Sequence, residues 1–190
     1  VYLQGSELKN RVVFYDFSEI GKNVPNRLVG GFDDEFQGDM VPRVTYMGNP
    51  YSCAFSGKAL TFFSSRNLAS PELVEQRNIE ERIDSVFYSD EYAAAIVRNT
   101  NGEYGSRLEV YKKDGTHVLS KEFNFEYTHA DFDGDLIILY NEDSCRIYNM
   151  SGTEKFDATF DFPVSKIRKG RFPGTLVVTG PQQMQELKLR

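Results

Sequence analysis

The chain has 190 residues, which is long enough for one domain with a sizeable core. Hydrophobic residues make up 40% and charged residues 26% of it, a balance that excludes general disorder, and the net charge of −6 argues against nucleic acid or an anionic membrane surface as a partner. Trp is absent while 15 Phe and 11 Tyr are present, and because these two residue types favour strands we expect an all-β fold.

The first predicted elements are strands at 1–3, 11–17 and 26–32, separated by polar or Gly-containing turns. They resemble the later strands of a sheet whose first strand is missing. The chain also opens without an initiator Met and contains neither a membrane-spanning apolar run nor a signal-peptide pattern. We therefore expect a piece of a longer protein, with any anchor or signal lying upstream.

Three units of four short strands follow, and a partial unit ends the chain. The segment 72–80 also has helical propensity, but its place in the unit favours an outer strand. The predicted strands are 41–46, 51–55, 59–64 and 72–80; then 83–88, 92–97, 107–112 and 117–125; then 127–132, 136–140, 144–149 and 155–162; and finally 164–172, 175–179 and 184–189.

An internal repeat organises these strands. Val110-Tyr111, Gly115-Thr116 and Phe123 recur 37 residues later as Ile147-Tyr148, Gly152-Thr153 and Phe160. A repeat near 40 residues built from short strands and Gly turns is typical of a β-propeller. We predict about four and a half four-stranded antiparallel blades in one domain, with units at 1–39, 40–81, 82–125, 126–163 and 164–190.

A second repeat consists of aromatic residues that close the first strand of each unit, at spacings of 42, 44 and 40 residues. Because aromatic side chains are usually buried, we expect them to pack between neighbouring sheets. They are Tyr46, Tyr88, Phe132 and Phe172.

The closure of the propeller has two alternatives. Either the partial ends complete one another in a five-bladed ring, or the chain is the C-terminal part of a larger ring, which a start in mid-blade favours. An open fragment leaves exposed sheet edges, and such edges favour a dimer.

From Arg11 onward the chain resembles quinoprotein- and WD40-like bacterial propellers, in particular uncharacterised extracytoplasmic propeller domains of Gram-positive bacteria that follow an N-terminal membrane helix. The resemblance rests on the blade phase and on the hairpins 111–116 (YKKDGT) and 148–153 (YNMSGT). It implies a membrane-tethered domain outside the membrane. The Trp that recurs in quinoprotein blades is absent, so we expect no quinone or other organic cofactor.

The cysteines Cys53 and Cys145 lie in apolar strands of different repeats, which predicts two buried free thiols. This usage is compatible with the cytosol and also with exported proteins of bacteria that make few disulfides.

One motif has partial metal-binding character. Asp131, Asp133, Asp135 and Glu142 occupy positions 1, 3, 5 and 12 of a calcium loop, but Leu136 replaces the required Gly at position 6. Asp133-Gly134 also suits a two-residue hairpin turn, which is the favoured interpretation, with calcium at the three aspartates as the alternative. The two histidines, His117 and His129, lack the companion ligands of a zinc site.

Two aromatic residues in polar loops are the candidate binding residues: Phe36 in 33–39 (DDEFQGD) and Tyr104 in 98–106 (RNTNGEYGS). No nucleophile elbow, phosphate loop or dinucleotide motif occurs. We therefore expect a non-catalytic domain that binds or senses a protein or cell-envelope component.

Two alternatives remain open. A glycosidase-like five-bladed propeller would place carboxylates around its channel, and the candidates at strand starts are Asp84, Asp131 and Glu80-Glu81. A purely structural spacer would need neither channel acids nor an exposed aromatic patch.

Overall fold

The computed structural model describes residues 2–4, 7–9, 11–17, 27–32, 41, 43–99 and 103–189. The acidic loop 33–39, with its candidate residue Phe36, lies outside these described residues. All regular elements of the described part are strands: β1 (Tyr2–Gln4), β2 (Glu7–Lys9), β3 (Val12–Tyr15), β4 (Leu28–Phe32), β5 (Arg43–Tyr46), β6 (Tyr51–Phe55), β7 (Ala59–Ser64), β8 (Glu72–Asn78), β9 (Ile83–Tyr88), β10 (Tyr92–Arg98), β11 (Ser106–Lys112), β12 (His117–Phe123), β13 (His129–Asp133), β14 (Leu136–Tyr140), β15 (Ser144–Asn149), β16 (Glu154–Thr159), β17 (Lys166–Lys169), β18 (Thr175–Thr179) and β19 (Met184–Lys188).

The strands form antiparallel meanders in which chain neighbours pair. Three sheets have four strands, in the orders β5-β6-β7-β8, β12-β11-β10-β9 and β13-β14-β15-β16. A three-stranded sheet, β17-β18-β19, follows them, and two-stranded sheets, β1-β2 and β3-β4, precede them. Each four-stranded sheet has the strand order of a propeller blade, as the repeat predicted.

The predicted strands agree closely with the observed ones, with differences at the ends of outer strands. The ambiguous segment 72–80 is a strand, β8. The predicted strand 155–162 already ends at Thr159, and 164–172 contracts to Lys166–Lys169. The short strand β2 was not predicted, because a three-residue strand with charged residues at both ends has too little hydrophobic alternation to register.

The chain divides into two compact units. The first comprises Val1–Arg98 with Tyr111–His117, and the second comprises Asn99–Val110 with Val118–Arg190. The core of the first unit includes Phe55, Leu60 and Phe62, all almost completely buried. The core of the second includes Ile138, Ile147 and Leu176.

Second strands are buried on both faces, as the sequence predicted for continuous apolar runs. Ala93–Val97 of β10 is buried at every position, and so is all of β14. The outer strands β12 and β16 alternate between more and less exposed residues instead. This difference explains why second strands gave the clearest sequence signal.

The aromatic repeat does not have the predicted core role. Tyr46 and Phe172 are 61% and 62% exposed, Tyr88 is also exposed, and Phe132 alone of the four is buried, at 5%. Tyr46 and Tyr88 are the last residues of their strands, Phe132 is the penultimate residue of β13, and Phe172 lies beyond the end of β17. Because successive side chains of a strand point to opposite faces, a one-residue difference reverses the burial.

Both cysteines are free and buried, as predicted. Desolvation raises the pKa of the Cys53 thiol well above its ordinary range and that of Cys145 to about 12. The described part of the chain contains no helix that meets the length and apolarity of a membrane span.

Candidate functional site

A groove of about 440 Å³ opens in the second unit, between β12 and the hairpin formed by β15 and β16. This volume lies within the range of ligand pockets. Its lining includes Tyr104, Lys121, Glu122, Arg146, Tyr148 and Glu154.

Tyr104 stands at this groove in a loop that is held to β12 by hydrogen bonds. The Gly105 N–H donates to Asn124 Oδ1 over 2.7 Å, and the Asn99 side-chain amide donates to Glu122 Oε1 over 2.7 Å. The Asn99 N–H also donates to the Gly105 carbonyl over 3.1 Å, which closes the loop on itself. The loop therefore presents Tyr104, 40% exposed, in a defined position.

Arg146 forms the charged wall of the groove and is held on several sides. Its Nη2 and Nε atoms donate to Asp157 Oδ2 over 2.6 and 3.1 Å, and its Nη1 atom donates to the Asn124 carbonyl over 3.2 Å. The guanidinium carbon lies 5.3 Å from the centre of the Phe125 ring. Desolvation lowers the Arg146 pKa, but hydrogen bonds to Asp157 and Tyr148 offset this, so the pKa lies above its ordinary value.

Tyr148 forms the aromatic floor. The Lys121 ammonium lies 5.6 Å from the centre of its ring, within the range of a cation–π contact. The residue is 2% exposed, and this burial raises the pKa of its phenol. The floor is therefore a neutral ring near neutral pH.

A buried carboxylate supports β12 from below. Glu109 Oε1 accepts hydrogen bonds from Arg107 Nε over 2.6 Å and from Ser120 Oγ over 2.9 Å. Charge-assisted hydrogen bonds of this kind are the stronger ones in proteins. The network fixes the position of β12 next to the groove.

The lining combines two cations, Lys121 and Arg146, with two carboxylates, Glu122 and Glu154. Arg146 already contacts Asp157 and, over 3.5 Å, Glu154. Such a balanced surface does not select a highly charged ligand. Its donors and acceptors suit a polar segment of mixed or no charge.

The structure pairs the three candidate calcium ligands with basic residues. Asp131 lies 3.0 Å from Arg168, Asp133 accepts from the Lys169 backbone N–H over 2.6 Å, and Asp135 contacts the Lys169 ammonium over 2.5 Å. The hydrogen bond from Lys169 lowers the pKa of Asp135. Among the described residues no group of three or more His, Cys, Asp and Glu is arranged to hold a metal ion.

The local chain at these aspartates forms the predicted two-residue hairpin, shifted by one residue. Asp133 pairs with Leu136, so the turn residues are Gly134 and Asp135. Gly134 has a φ of +62°, which glycine adopts readily at the first position of such a turn.

The candidate channel acids have basic partners as well. Asp84 lies 3.3 Å from Arg82 and 3.2 Å from Arg98, all in the first unit. Asp131 contacts Arg168 within the second unit. These pairings describe structural ion pairs at strand ends.

Sequence reasoning found Tyr104 but missed Arg146, Tyr148 and Lys121. Tyr148 lies in an apolar strand pattern that predicts core, and Arg146 meets Asp157 only through the pairing register of β15 and β16. The alternation of β12 was the available signal for Lys121, because it places this residue on the same face as the buried Leu119 and Phe123.

Comparison with known proteins supplies a family and a fold. A model described as "Family of unknown function (DUF5711)" matches residues 1–189. A comparison with curated proteins found no match.

Among solved structures, the chain is similar to several propellers. The protein titled "KlHsv2 with loop 6CD replaced by a Gly-Ser linker" matches with a TM-score of 0.50 and 9% identity, over 80% of this chain and 50% of that one. BBS1N in complex with ARL6DN matches with a TM-score of 0.51 and 9% identity, over 85% and 55%. A chain of the mitotic checkpoint complex matches with a TM-score of 0.52 and 10% identity, over 85% and 50%.

These are WD40-like propeller proteins, and together with the all-β sheets they show that the fold is a β-propeller of four-stranded antiparallel blades. The chain spans about half the length of the solved chains it matches. At such low identity the likeness shows the fold alone.

Proposed function

The chain belongs to the DUF5711 family of unknown function, and from this membership we propose that it is a non-catalytic propeller domain that binds a partner protein. The groove between β12 and the β15–β16 hairpin receives an extended polypeptide segment of that partner. Tyr104 is the principal contact.

The presentation of Tyr104 carries this proposal. An aromatic side chain that is exposed by 40% next to a groove, on a loop fixed by the hydrogen bonds of Gly105 and Asn99, loses little conformational freedom on binding. Tyr is enriched among residues that dominate binding energy at interfaces. A ring held in this way is a preformed anchor.

The remaining lining suits the backbone and polar side chains of such a segment. Arg146 is oriented by Asp157, and Lys121 lies over Tyr148, so both cations are in place before a partner arrives. Glu122 and Glu154 supply acceptors on the same groove. A mixed-charge lining gives specificity through the pattern of donors and acceptors.

The use of the fold in other proteins supports this class of function. BBS1N was solved in complex with ARL6DN, and another similar chain is part of the mitotic checkpoint complex. In those assemblies a propeller serves as a binding platform. We extend that role to this chain.

We further propose that the domain lies outside the membrane and is tethered there, as the resemblance to Gram-positive extracytoplasmic propellers implies, so that its partner is a cell-envelope protein. A fusion of alkaline phosphatase to the C-terminus of the natural gene product is expected to be active. An inactive phosphatase fusion combined with a fluorescent GFP fusion would contradict this location.

Site-specific photo-crosslinking tests the binding proposal. With p-benzoylphenylalanine in place of Tyr104, irradiation of cells that express the protein is expected to yield one discrete adduct. The same probe at Phe172, which is 62% exposed and outside the groove lining, is the control. An adduct at both positions with the same protein, or at neither, would refute a contact specific to the groove.

A further inference from the structure

The two faces of the β3–β4 sheet differ from those of a sheet at the end of a fold. Val12 and Phe14 alternate along β3 with Val13 and Tyr15, and the pairing of Tyr15 with Leu28 extends the second face onto β4. Side chains at alternate positions of a strand share a face.

The first face packs against the β5–β8 sheet of the same unit. The Phe14 and Phe32 rings lie 5.5 and 4.9 Å from the Phe63 ring, between centres. Gly30 lies against Pro71, since a Cβ atom on this glycine would stand 3.2 Å from the Pro71 Cδ atom. This is the packing of one sheet face on another.

The second face carries large apolar side chains that are open to solvent. Val13, Tyr15, Phe17 and Leu28 are exposed by 39%, 52%, 59% and 39%. The Tyr15 and Phe17 rings lie 6.2 Å apart, between centres. They form a continuous apolar strip, which we call the β3–β4 outer face.

The three-stranded sheet of the second unit shows what a solvated face looks like in this chain. On the face opposite its buried residues, the register brings together charged side chains: Lys166 and Arg168 on β17 and Glu186 and Lys188 on β19. The β3–β4 outer face has no such charges at its centre. Its composition is that of a covered face, not a solvated one.

We propose that the β3–β4 outer face is the docking surface for a further propeller blade of the same polypeptide. The chain spans about half the length of the propellers it matches, so the fold itself includes blades beyond those described. The β3–β4 sheet has two strands where the sheets that follow have four. Its inner face already shows the contact that the outer face would repeat.

The size of the face favours a covalently linked blade over a separate partner. Four half-exposed side chains of this kind present on the order of 400 Å². A stable interface between separate proteins buries about 1,200 Å² or more in total. A blade on the same chain needs less contact, because its effective concentration is high.

Thiol labelling tests this inference without dependence on the groove, because both native thiols are buried. Tyr15→Cys is compared with Tyr104→Cys in the 190-residue chain and in the complete product of the natural gene. We expect Tyr15→Cys to label rapidly in the 190-residue chain and at least about tenfold more slowly in the complete product. Tyr104→Cys is expected to label at the same rate in both.

Three results would overturn the inference. Equal labelling of Tyr15→Cys in both proteins would show that no blade covers the face. Protection already in the 190-residue chain, with a dimer by light scattering, would assign the face to a second copy. A complete gene product without further propeller sequence would remove the proposed occupant.

Discussion

Gly152 lies against Leu119, so closely that a Cβ atom on the glycine would stand 2.9 Å from the Leu119 Cδ1 atom. One repeat earlier, a Cβ atom on Gly115 would stand 2.5 Å from the Glu75 Cβ atom. Both glycines have positive φ, 76° and 83°. The 37-residue repeat therefore marks a hairpin turn that packs on the outer strand of the preceding sheet.

Replacing Gly152 by Ala tests this packing. The positive φ and the contact with Leu119 both oppose a side chain, so we expect a loss of about 2–3 kcal/mol in the free energy of unfolding. Gly174 is a matched control, since its φ is +72° but no atom lies within 4 Å of its Cβ position. Gly174→Ala should lose only about 1 kcal/mol. Equal losses in urea denaturation would show that the Leu119 contact contributes nothing.

Thr61 offers a stabilising substitution. Within the described residues its Oγ1 atom is buried without a hydrogen-bond partner. Thr61→Val removes that desolvated hydroxyl at nearly the same shape, and we expect a gain of about 1 kcal/mol. Ser56 is the contrasting case, because its buried Oγ accepts a hydrogen bond from the Ala59 N–H over 2.9 Å. Ser56→Ala should lose about 1 kcal/mol, and a loss for Thr61→Val as well would reveal a partner for that hydroxyl.

The buried thiol of Cys53 predicts weaker stability in alkali. Its pKa is raised above the ordinary 9.0 by desolvation, so the folded state keeps the proton that the unfolded state releases. Stability is fully present below pH 9 and falls as the pH rises further, by about 2 kcal/mol near pH 10.5 for one such group. Cys53→Ala should flatten the pH dependence of the unfolding free energy over this interval. An unchanged slope would mean that the thiol ionises equally in both states.

Calcium should leave the stability unchanged. Asp131, Asp133 and Asp135 already contact Arg168 and Lys169, and a ligand stabilises a fold only by binding its folded state. We expect the melting temperature in millimolar calcium to lie within about 1 °C of that in EDTA. A larger rise that disappears in Asp133→Asn would establish a calcium site at this turn.

The sequence was informative where a rule of alternation acts within one strand. Leu136–Tyr140 is a continuous apolar run and forms a strand buried at every position. The turns at Gly115 and Gly152 were located because glycine adopts the positive φ that they need.

Features that depend on two strands at once were not accessible. The pairing of Arg146 with Asp157 requires the register of β15 against β16. The exposure of Tyr46 and the burial of Phe132 differ because the two residues sit one position apart relative to the ends of their strands. Tyr104 was recognised since an aromatic residue in a polar loop is visible without any pairing, but the groove beside it was not.

The central claim is that Tyr104 anchors a protein partner in the groove, and the affinity of the crosslinked partner tests it most directly. By isothermal titration calorimetry, Tyr104→Ala should weaken binding at least about tenfold, as expected for an anchoring aromatic residue, while Phe172→Ala should stay within about twofold. Binding by Tyr104→Ala within twofold of the unsubstituted protein would contradict the account and remove the groove as the binding site.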